Sequence, residues 1–130
     1  MAQSDTIADL LTRLRNGVLA RRRFVDVYLS KVKVNIIKVL EAQGYIERAL
    51  VDNEKGKVRV FLKYTQDREP VLQGLKRVSS PGLRRYIAVD NIPRIQGGMG
   101  TVILSTSKGI IDGETARKEK LGGEFLCCVW

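Results

Sequence analysis

Three neighbouring hydroxyl groups form the part of this chain that is best suited to bind a polar ligand. They lie in the segment Ser105-Thr106-Ser107-Lys108-Gly109, directly after Val102-Ile103-Leu104, an apolar run that is typical of a buried strand. Each hydroxyl can donate one hydrogen bond and accept others, which suits phosphate oxygens, ribose hydroxyls and base edges. Gly109 lets the backbone bend or approach a ligand closely. The alternative is a polar loop at a strand end that contacts only water.

Cations, one aromatic ring and one carboxylate occur in two further segments, Arg84-Arg85-Tyr86 and Gly122-Gly123-Glu124. Tyr86 could offer a stacking surface, or it could be packed as a half-buried strand residue. A phosphate chain would repel Glu124 unless its carboxylate accepts from a base amino group or orients the loop backbone. The alternative for Glu124 is a surface charge at a helix end.

The net charge indicates a polyanionic partner. The formal charge is +9, from 23 basic and 14 acidic residues. Residues 1–65 carry 13 basic and 7 acidic side chains, and residues 66–130 carry 10 and 7. Because both halves are basic, the whole chain faces a polyanion and the charge is not confined to one basic tail. Nucleic acid is favoured over a membrane surface, because no helix pairs a basic face with exposed Trp or Phe. No apolar run approaches the roughly 20 residues that span a bilayer, and the N-terminus lacks a secretory pattern, so we expect a cytoplasmic protein.

The composition argues against an enzyme and against a metal site. The chain contains no histidine, and its serines lack a convincing base, so nucleophilic catalysis is not expected. Cys127 and Cys128 are adjacent, so we expect them to be buried strand residues that point to opposite faces. We therefore predict no catalytic residue, no metal and no cofactor. A strand-end hydroxyl loop is also unlike a recognition helix for DNA.

Hydrophobic periodicity predicts an α+β protein with two small subdomains. The first, residues 1–64, has the order α-β-α-β-β. Its first helix is capped by Ser4 or Asp5 and ends at Gly17; its second is capped by Ser30 and buries Val32, Ile36, Val39 and Leu40.

A polar segment, residues 65–70, is the predicted linker, since it has no apolar residue before its proline. The second subdomain, residues 71–130, is predicted to be mainly β. Its strands cover 72–78, 83–89, 101–104 and 125–130, and its short helix runs from Glu114 to Leu121 until Gly122 and Gly123 stop it.

Long motifs along nearly the whole chain resemble ribosomal small-subunit protein eight of the bacterial type. The matching segments are Asp5-Thr6-Ile7-Ala8-Asp9, Leu11-Thr12-Arg13-Leu14-Arg15-Asn16, Glu41-Ala42-Gln43-Gly44-Tyr45-Ile46, Leu75-Lys76-Arg77-Val78, Pro81-Gly82-Leu83-Arg84-Arg85, Ser105-Thr106-Ser107-Lys108-Gly109, Ala116-Arg117-Lys118, Gly122-Gly123-Glu124 and Cys128-Val129-Trp130.

This resemblance implies a structural protein of the ribosome that binds the central domain of small-subunit ribosomal RNA. It implies that the hydroxyl loop, Glu124 and Tyr86 carry most of the RNA contact, and that the helix end near Arg13 lies close to RNA. Arg13 and Lys31 are predicted to add affinity through phosphate contacts; the alternative is that both lie on a solvated face. The resemblance also implies contact with neighbouring proteins, chiefly small-subunit protein five. Many members of the family also repress translation of their own operon by binding a similar mRNA fold.

Overall fold

The computed structural model describes residues 5–130 and contains three α-helices and eight strands in that range. In chain order they are α1 (Thr6–Leu19), β1 (Phe24–Tyr28), α2 (Lys31–Ala42), β2 (Ile46–Asp52), β3 (Lys57–Leu62), β4 (Leu75–Arg77), β5 (Tyr86–Ile87), β6 (Thr101–Thr106), β7 (Gly109–Asp112), α3 (Gly113–Lys118) and β8 (Gly123–Val129). The predicted α+β class is confirmed, as is the α-β-α-β-β order of the first half. No helix within these residues is long and apolar enough to cross a membrane.

Helix α1 begins at a side-chain cap and continues past its predicted end. The Asp5 carboxylate accepts hydrogen bonds from the N–H groups of Ile7 and Ala8, each at 3.2 Å, as an N-cap does. Ser4, the other predicted cap, lies outside the described residues. Gly17 does not end the helix, which runs to Leu19. A Cβ on Gly17 would lie 2.3 Å from a Val25 methyl, so this glycine serves close packing on β1.

Helix α2 is capped by Ser30 as predicted, but its buried face is rotated from the predicted one. Ile36 and Leu40 are buried, whereas Val32 is 38% exposed. Lys33 is buried instead of Val32, and its ammonium lies 3.5 Å from the Asp9 carboxylate of α1. A buried lysine is tolerated because it is paired, and this ion pair connects the two helices.

The first sheet is antiparallel with the order β1-β3-β2, and its two faces differ in character. Val58, Val60 and Leu62 of β3 point to the helices and are buried, while the alternate residues face away from them. The sequence predicts this alternation, because Val58, Val60, Leu62 and Tyr64 alternate there with Arg59, Phe61 and Lys63, and the burial of β3 confirms it.

The second sheet has the order β4-β8-β6-β7, and β5 also pairs with β8. Every residue of β8 from Glu124 to Val129 is buried. Cys127 belongs to the core that includes α1 and α2, whereas Cys128 belongs to a separate cluster with Val102 and Ala116. The two free thiols thus point to opposite faces of the strand, as predicted.

Several predicted boundaries in the second half were wrong. Strands β4 and β5 are much shorter than the predicted 72–78 and 83–89, and β7 was not predicted because four residues are too few to show alternation. Helix α3 ends at Lys118, and Gly122-Gly123 does not stop it. The left-handed backbone of Lys120, with φ of 58°, ends it instead, and Gly123 already belongs to β8.

Contacts connect the two halves of the chain. The guanidinium of Arg77 in β4 donates to the Asp5 carboxylate at 3.0 Å, and Arg15 of α1 donates to the carbonyl of Leu75 at 2.6 Å. The larger apolar core contains residues from both sheets, with Leu126 and Val129 packed in the same cluster as Leu10. The division into subdomains at residues 65–70 stays a prediction.

Candidate nucleic-acid interface

The hydroxyl segment is a strand end and a tight hairpin turn, not the loop expected from the sequence. Ser105 and Thr106 belong to β6, the turn is formed by Ser107 and Lys108, and Gly109 begins β7. Strand β6 therefore extends two residues beyond the predicted 101–104. Ser107, Lys108 and Gly109 are exposed at the tip, while Ser105 and Thr106 are partly buried.

The turn is held by Thr106. Its hydroxyl donates to the Gly109 carbonyl at 2.8 Å and accepts from the Lys108 N–H at 3.2 Å. Gly109 has a φ of 107°, which an L side chain adopts only with strain. Since the Thr106 hydroxyl is occupied by these bonds, its main role is to shape the turn.

The remaining two hydroxyls are available to a ligand. Those of Ser105 and Ser107 make no hydrogen bond with any other part of residues 5–130. Lys108 is exposed beside them. The hairpin therefore presents two directional hydrogen-bonding groups and one cation on a fixed backbone.

Strand register brings together three of the predicted site residues that are far apart in the sequence. Tyr86 of β5 is the partner of Glu124 of β8, and Glu124 is in turn the partner of Ser105 of β6. Directly opposed residues of antiparallel strands project to the same face of a sheet. We call Tyr86, Glu124 and Ser105 the cross-strand row; it leads from an aromatic ring to the base of the hairpin.

The exposure of Tyr86 and the burial of Glu124 exclude the alternative roles given for them above, strand packing and a surface charge. Tyr86 is 72% exposed, so its ring is not packed within the sheet. The Glu124 side chain is only 11% exposed, so it is not a solvated charge at a helix end. The cross-strand row thus places an exposed ring beside a nearly buried carboxylate.

The charge of Glu124 is compensated locally. Arg84 Nη1 lies 3.2 Å from Oε2 and 3.4 Å from Oε1 of Glu124. The arginine side chain is 53% exposed, so this cation is also accessible from outside. The pair reduces the repulsion that a bare carboxylate would exert on a phosphate.

The paired glycines permit close approach of the strands at this point. A Cβ on Gly123 would lie 2.3 Å from the Ser105 carbonyl oxygen, and one on Gly122 would lie 2.6 Å from that of Ile87. Gly122 and Gly123 therefore set the spacing of β8 from its neighbours, which is a structural role next to the row.

Ser79 positions the segment that carries Arg84 and Arg85 and was missed by the sequence analysis. It is fully buried; its hydroxyl accepts from the Arg85 N–H at 2.7 Å and lies 3.3 Å from the Arg85 carbonyl, to which it donates. The Phe125 N–H donates to that same carbonyl at 2.8 Å. Nothing in the sequence distinguishes Ser79 from Ser80 beside it, so no signal could have identified this role. Arg85 is thus fixed through its backbone, and its side chain is exposed.

Arg13 and Lys31 are not part of this surface. Arg13 donates to Asp9 at 3.2 Å on α1 and lies 5.9 Å from the Tyr28 ring centroid, while Lys31 is exposed at the start of α2. No hydrogen bond or ion pair within residues 5–130 connects either cation to the row. Both cations belong to the first half of the chain.

The arrangement supports recognition rather than covalent chemistry. No cluster of three potential metal ligands occurs in the described part of the chain. The cross-strand row and the hairpin instead combine a ring for stacking, two free hydroxyls, a compensated carboxylate and exposed cations. Stacking, hydroxyl contacts and phosphate contacts are the means by which structured RNA is recognised.

Known proteins of one family are similar to this chain over nearly its whole length. The family model "Ribosomal protein S8" matches residues 5–130. The chain is 50% identical to the "Small ribosomal subunit protein uS8" of Protochlamydia amoebophila over 133 residues, which covers all of both chains. It is 48% identical to the protein of that name from Geobacter sulfurreducens over 132 residues, again with full coverage. With the counterpart from Chlamydia felis the identity is 50% over 129 residues, or 98% of this chain and 97% of the other.

Proposed function

This chain belongs to the ribosomal protein S8 family, and from that premise we propose that its cross-strand row and hairpin turn bind ribosomal RNA directly. Membership makes the chain a structural component of the small ribosomal subunit, in the cytoplasm, and not an enzyme. We also assign the surface that binds the RNA and the contribution of each residue on it.

The observation that carries the proposal is the register that aligns Tyr86, Glu124 and Ser105 on one face of the sheet. An exposed ring can stack on an unpaired base, and a neighbouring carboxylate can accept from a base amino group. The Ser105 and Ser107 hydroxyls suit ribose 2′-OH groups and base edges. Such a surface fits an irregular RNA helix with unpaired bases better than a regular duplex.

Cations surround this surface and supply affinity without sequence selectivity. Arg84, Arg85 and Lys108 are exposed next to the row and suit phosphate oxygens. We assign Arg13 and Lys31, on the other half of the chain, the same kind of contact with more distant phosphates. Gly109, Gly122 and Gly123 and the Thr106 hydroxyl hold the backbone in place rather than contacting bases.

The proposed target is the central domain of small-subunit ribosomal RNA, where binding would support assembly of the subunit. Contact with neighbouring ribosomal proteins, chiefly small-subunit protein five, belongs to the same proposal. So does translational repression through the mRNA of the protein's own operon, since an mRNA with the same irregular helix would meet the same surface. The resemblance in motifs supports all three statements.

Ser107→Ala tests the proposal, because it removes one free hydroxyl at an exposed turn. A lost hydrogen bond costs about 0.5–1.5 kcal/mol, or about 1–3 kcal/mol if the partner group stays buried and unpaired. Affinity for the cognate RNA should therefore fall by about threefold to hundredfold. A scrambled duplex held by cations alone should bind as before. The matched control is Thr12→Ala, which removes an exposed hydroxyl from α1 and should change neither affinity.

Titrations at two salt concentrations complete the test. The hydroxyl is neutral and releases no counterion, so the dependence of affinity on salt should be the same for wild type and Ser107→Ala. Equal losses on both RNAs, or a changed salt dependence, would contradict the assignment of this hairpin to RNA recognition.

A further inference from the structure

The face of the first sheet that points away from the helices carries three arginines around two phenylalanine rings. Strand pairing sets Phe24 opposite Phe61, and Phe61 opposite Arg48. Arg59 precedes Phe61 by two residues and shares its face, and Arg23 directly precedes β1. We call these five residues the arginine–phenylalanine face.

Each ring on this face is covered by a guanidinium group. The two rings lie 5.8 Å apart between centroids at an interplanar angle of 55°. The guanidinium carbon of Arg59 lies 4.0 Å from the Phe24 centroid, and those of Arg48 and Arg23 lie 4.4 Å and 5.9 Å from the Phe61 centroid. All three are within the range of cation–π attraction.

These contacts order three long side chains before any ligand arrives. An arginine held against a ring loses less rotamer freedom on binding, and its N–H groups can still donate to a ligand. The planar fork of donors matches the oxygens of a phosphate. The outer plane of a guanidinium can also stack on a base.

The charges on this face favour an anion at the end that carries Arg23 and Arg48. Arg59 makes two hydrogen bonds to Asp26, at 2.9 Å and 3.1 Å, so its charge is largely compensated. Arg23 and Arg48 have no acidic partner within residues 5–130. At the other end of the same face Lys57 is opposite both Tyr28 and Asp52.

We propose that the arginine–phenylalanine face is a second RNA-binding surface, which holds the sugar–phosphate backbone through Arg23 and Arg48. It lies on the first sheet, apart from the cross-strand row, and depends on the proposed function only in taking RNA as the ligand. RNA is favoured over a protein partner because the rings are already covered by cations. A protein interface usually needs an accessible apolar centre.

The double variant Arg23→Ala/Arg48→Ala tests this surface. Each phosphate contact contributes roughly 0.7–0.9 to the slope of log affinity against log salt, so two contacts should reduce the slope by about 1.4–1.8. Small-subunit ribosomal RNA and a scrambled duplex should be affected alike, because phosphates carry no sequence information. Lys57→Ala is the matched control: it removes an exposed cation from the acidic end of the same face and should leave the slope unchanged.

A second measurement uses the wild-type chain and needs no substitution. An arginine-specific dicarbonyl reagent, with mass spectrometry of the modified peptides, should show Arg48 protected when small-subunit ribosomal RNA is bound. Equal modification of Arg48 with and without RNA would overturn the inference. So would protection that appears only when other small-subunit proteins are added, since that would indicate a protein partner.

The two proposals fail independently. If Ser107→Ala weakens binding of the cognate RNA while the double arginine variant keeps the wild-type slope, the second surface is refuted and the proposed function stands. If the double variant loses slope while Ser107→Ala has no effect, the second surface stands and the hairpin assignment is refuted.

Discussion

Replacing Gly123 by alanine should force two strands apart beside the cross-strand row. The new Cβ would lie 2.3 Å from the Ser105 carbonyl oxygen, 3.0 Å from its carbon and 3.2 Å from the Thr106 methyl. Ordinary contact begins near 3.4 Å, so β8 and β6 must separate by about 1.1 Å at this point. The nearest obstacle is backbone within a sheet, which cannot rotate away as a side chain can.

The expected cost follows from that displacement. Overpacking of this kind costs about 1–3 kcal/mol, and the lower entropy of the unfolded alanine chain offsets about 0.4–1 kcal/mol of it. The midpoints of these ranges, about 2 and about 0.7 kcal/mol, leave a net loss of about 1.3 kcal/mol, which lowers the melting temperature by about 5 °C at roughly 4 °C per kcal/mol. The shift also misaligns Ser105 with Glu124, so cognate RNA should bind more weakly even at temperatures where the variant is folded.

Urea unfolding followed by circular dichroism measures the stability, and an RNA titration at 10 °C measures the binding. The matched control is Gly82→Ala, because a Cβ there meets no atom within 4 Å and the backbone needs no positive φ. Its stability should rise by about 0.4–1 kcal/mol through the same effect on the unfolded chain, and its RNA affinity should match that of the wild type. Wild-type stability for Gly123→Ala would refute the reasoning, because it would show that this contact does not set the spacing of β6 and β8.

Three further perturbations test other parts of the structure. Burial tends to raise the pKa of Asp5, but the hydrogen bonds from Arg77 and from two backbone N–H groups outweigh it and lower the pKa below 3.8. Its contribution is therefore present above pH 3.8 and is lost as the pH falls through the lower folded value. The stability difference between wild type and Asp5→Asn, measured by urea unfolding, should shrink on acidification; a constant difference would contradict this. Burial raises the pKa of the Cys127 thiol to about 12 and also raises that of Cys128; iodoacetamide at pH 8 should label both only in urea, and rapid labelling of the native chain would contradict their burial. Limited trypsin digestion should cut first within residues 65–70, and resistance throughout that segment would count against the proposed subdomain boundary.

Patterns that depend on neighbours in the sequence were predicted well. The caps at Asp5 and Ser30, the alternation of β3 and the opposite faces of Cys127 and Cys128 each follow from local geometry. Such features need only the period of a helix or strand and the chemistry of a cap. The candidate hydroxyl segment was also found in this way, although its division into strand and turn was not.

Features that depend on a partner far along the chain were missed. The burial of Lys33 depends on Asp9 of another helix, and Gly17 lies inside α1 because Val25 of β1 leaves no room for a Cβ there. The alignment of Tyr86 with Glu124 is a matter of strand register, which no local pattern encodes. The candidate residues could therefore be named from the sequence, and their binding role stays a prediction, but their common face could not be predicted.

The position of β8 in the second sheet has a consequence for the way this protein is made. Its residues, 123–129, are synthesised after all the strands they pair with, yet they lie between β4 and β6. The first sheet uses only residues 24–62 and can close early, whereas β4 must wait for its partner for a few seconds at about 5–20 residues per second. Until then the apolar side chains of β4 and β6 have no strand between them. The face that bears Tyr86, Glu124 and Ser105 therefore cannot form before Glu124 has been synthesised, and any partner that recognises it must bind after that point.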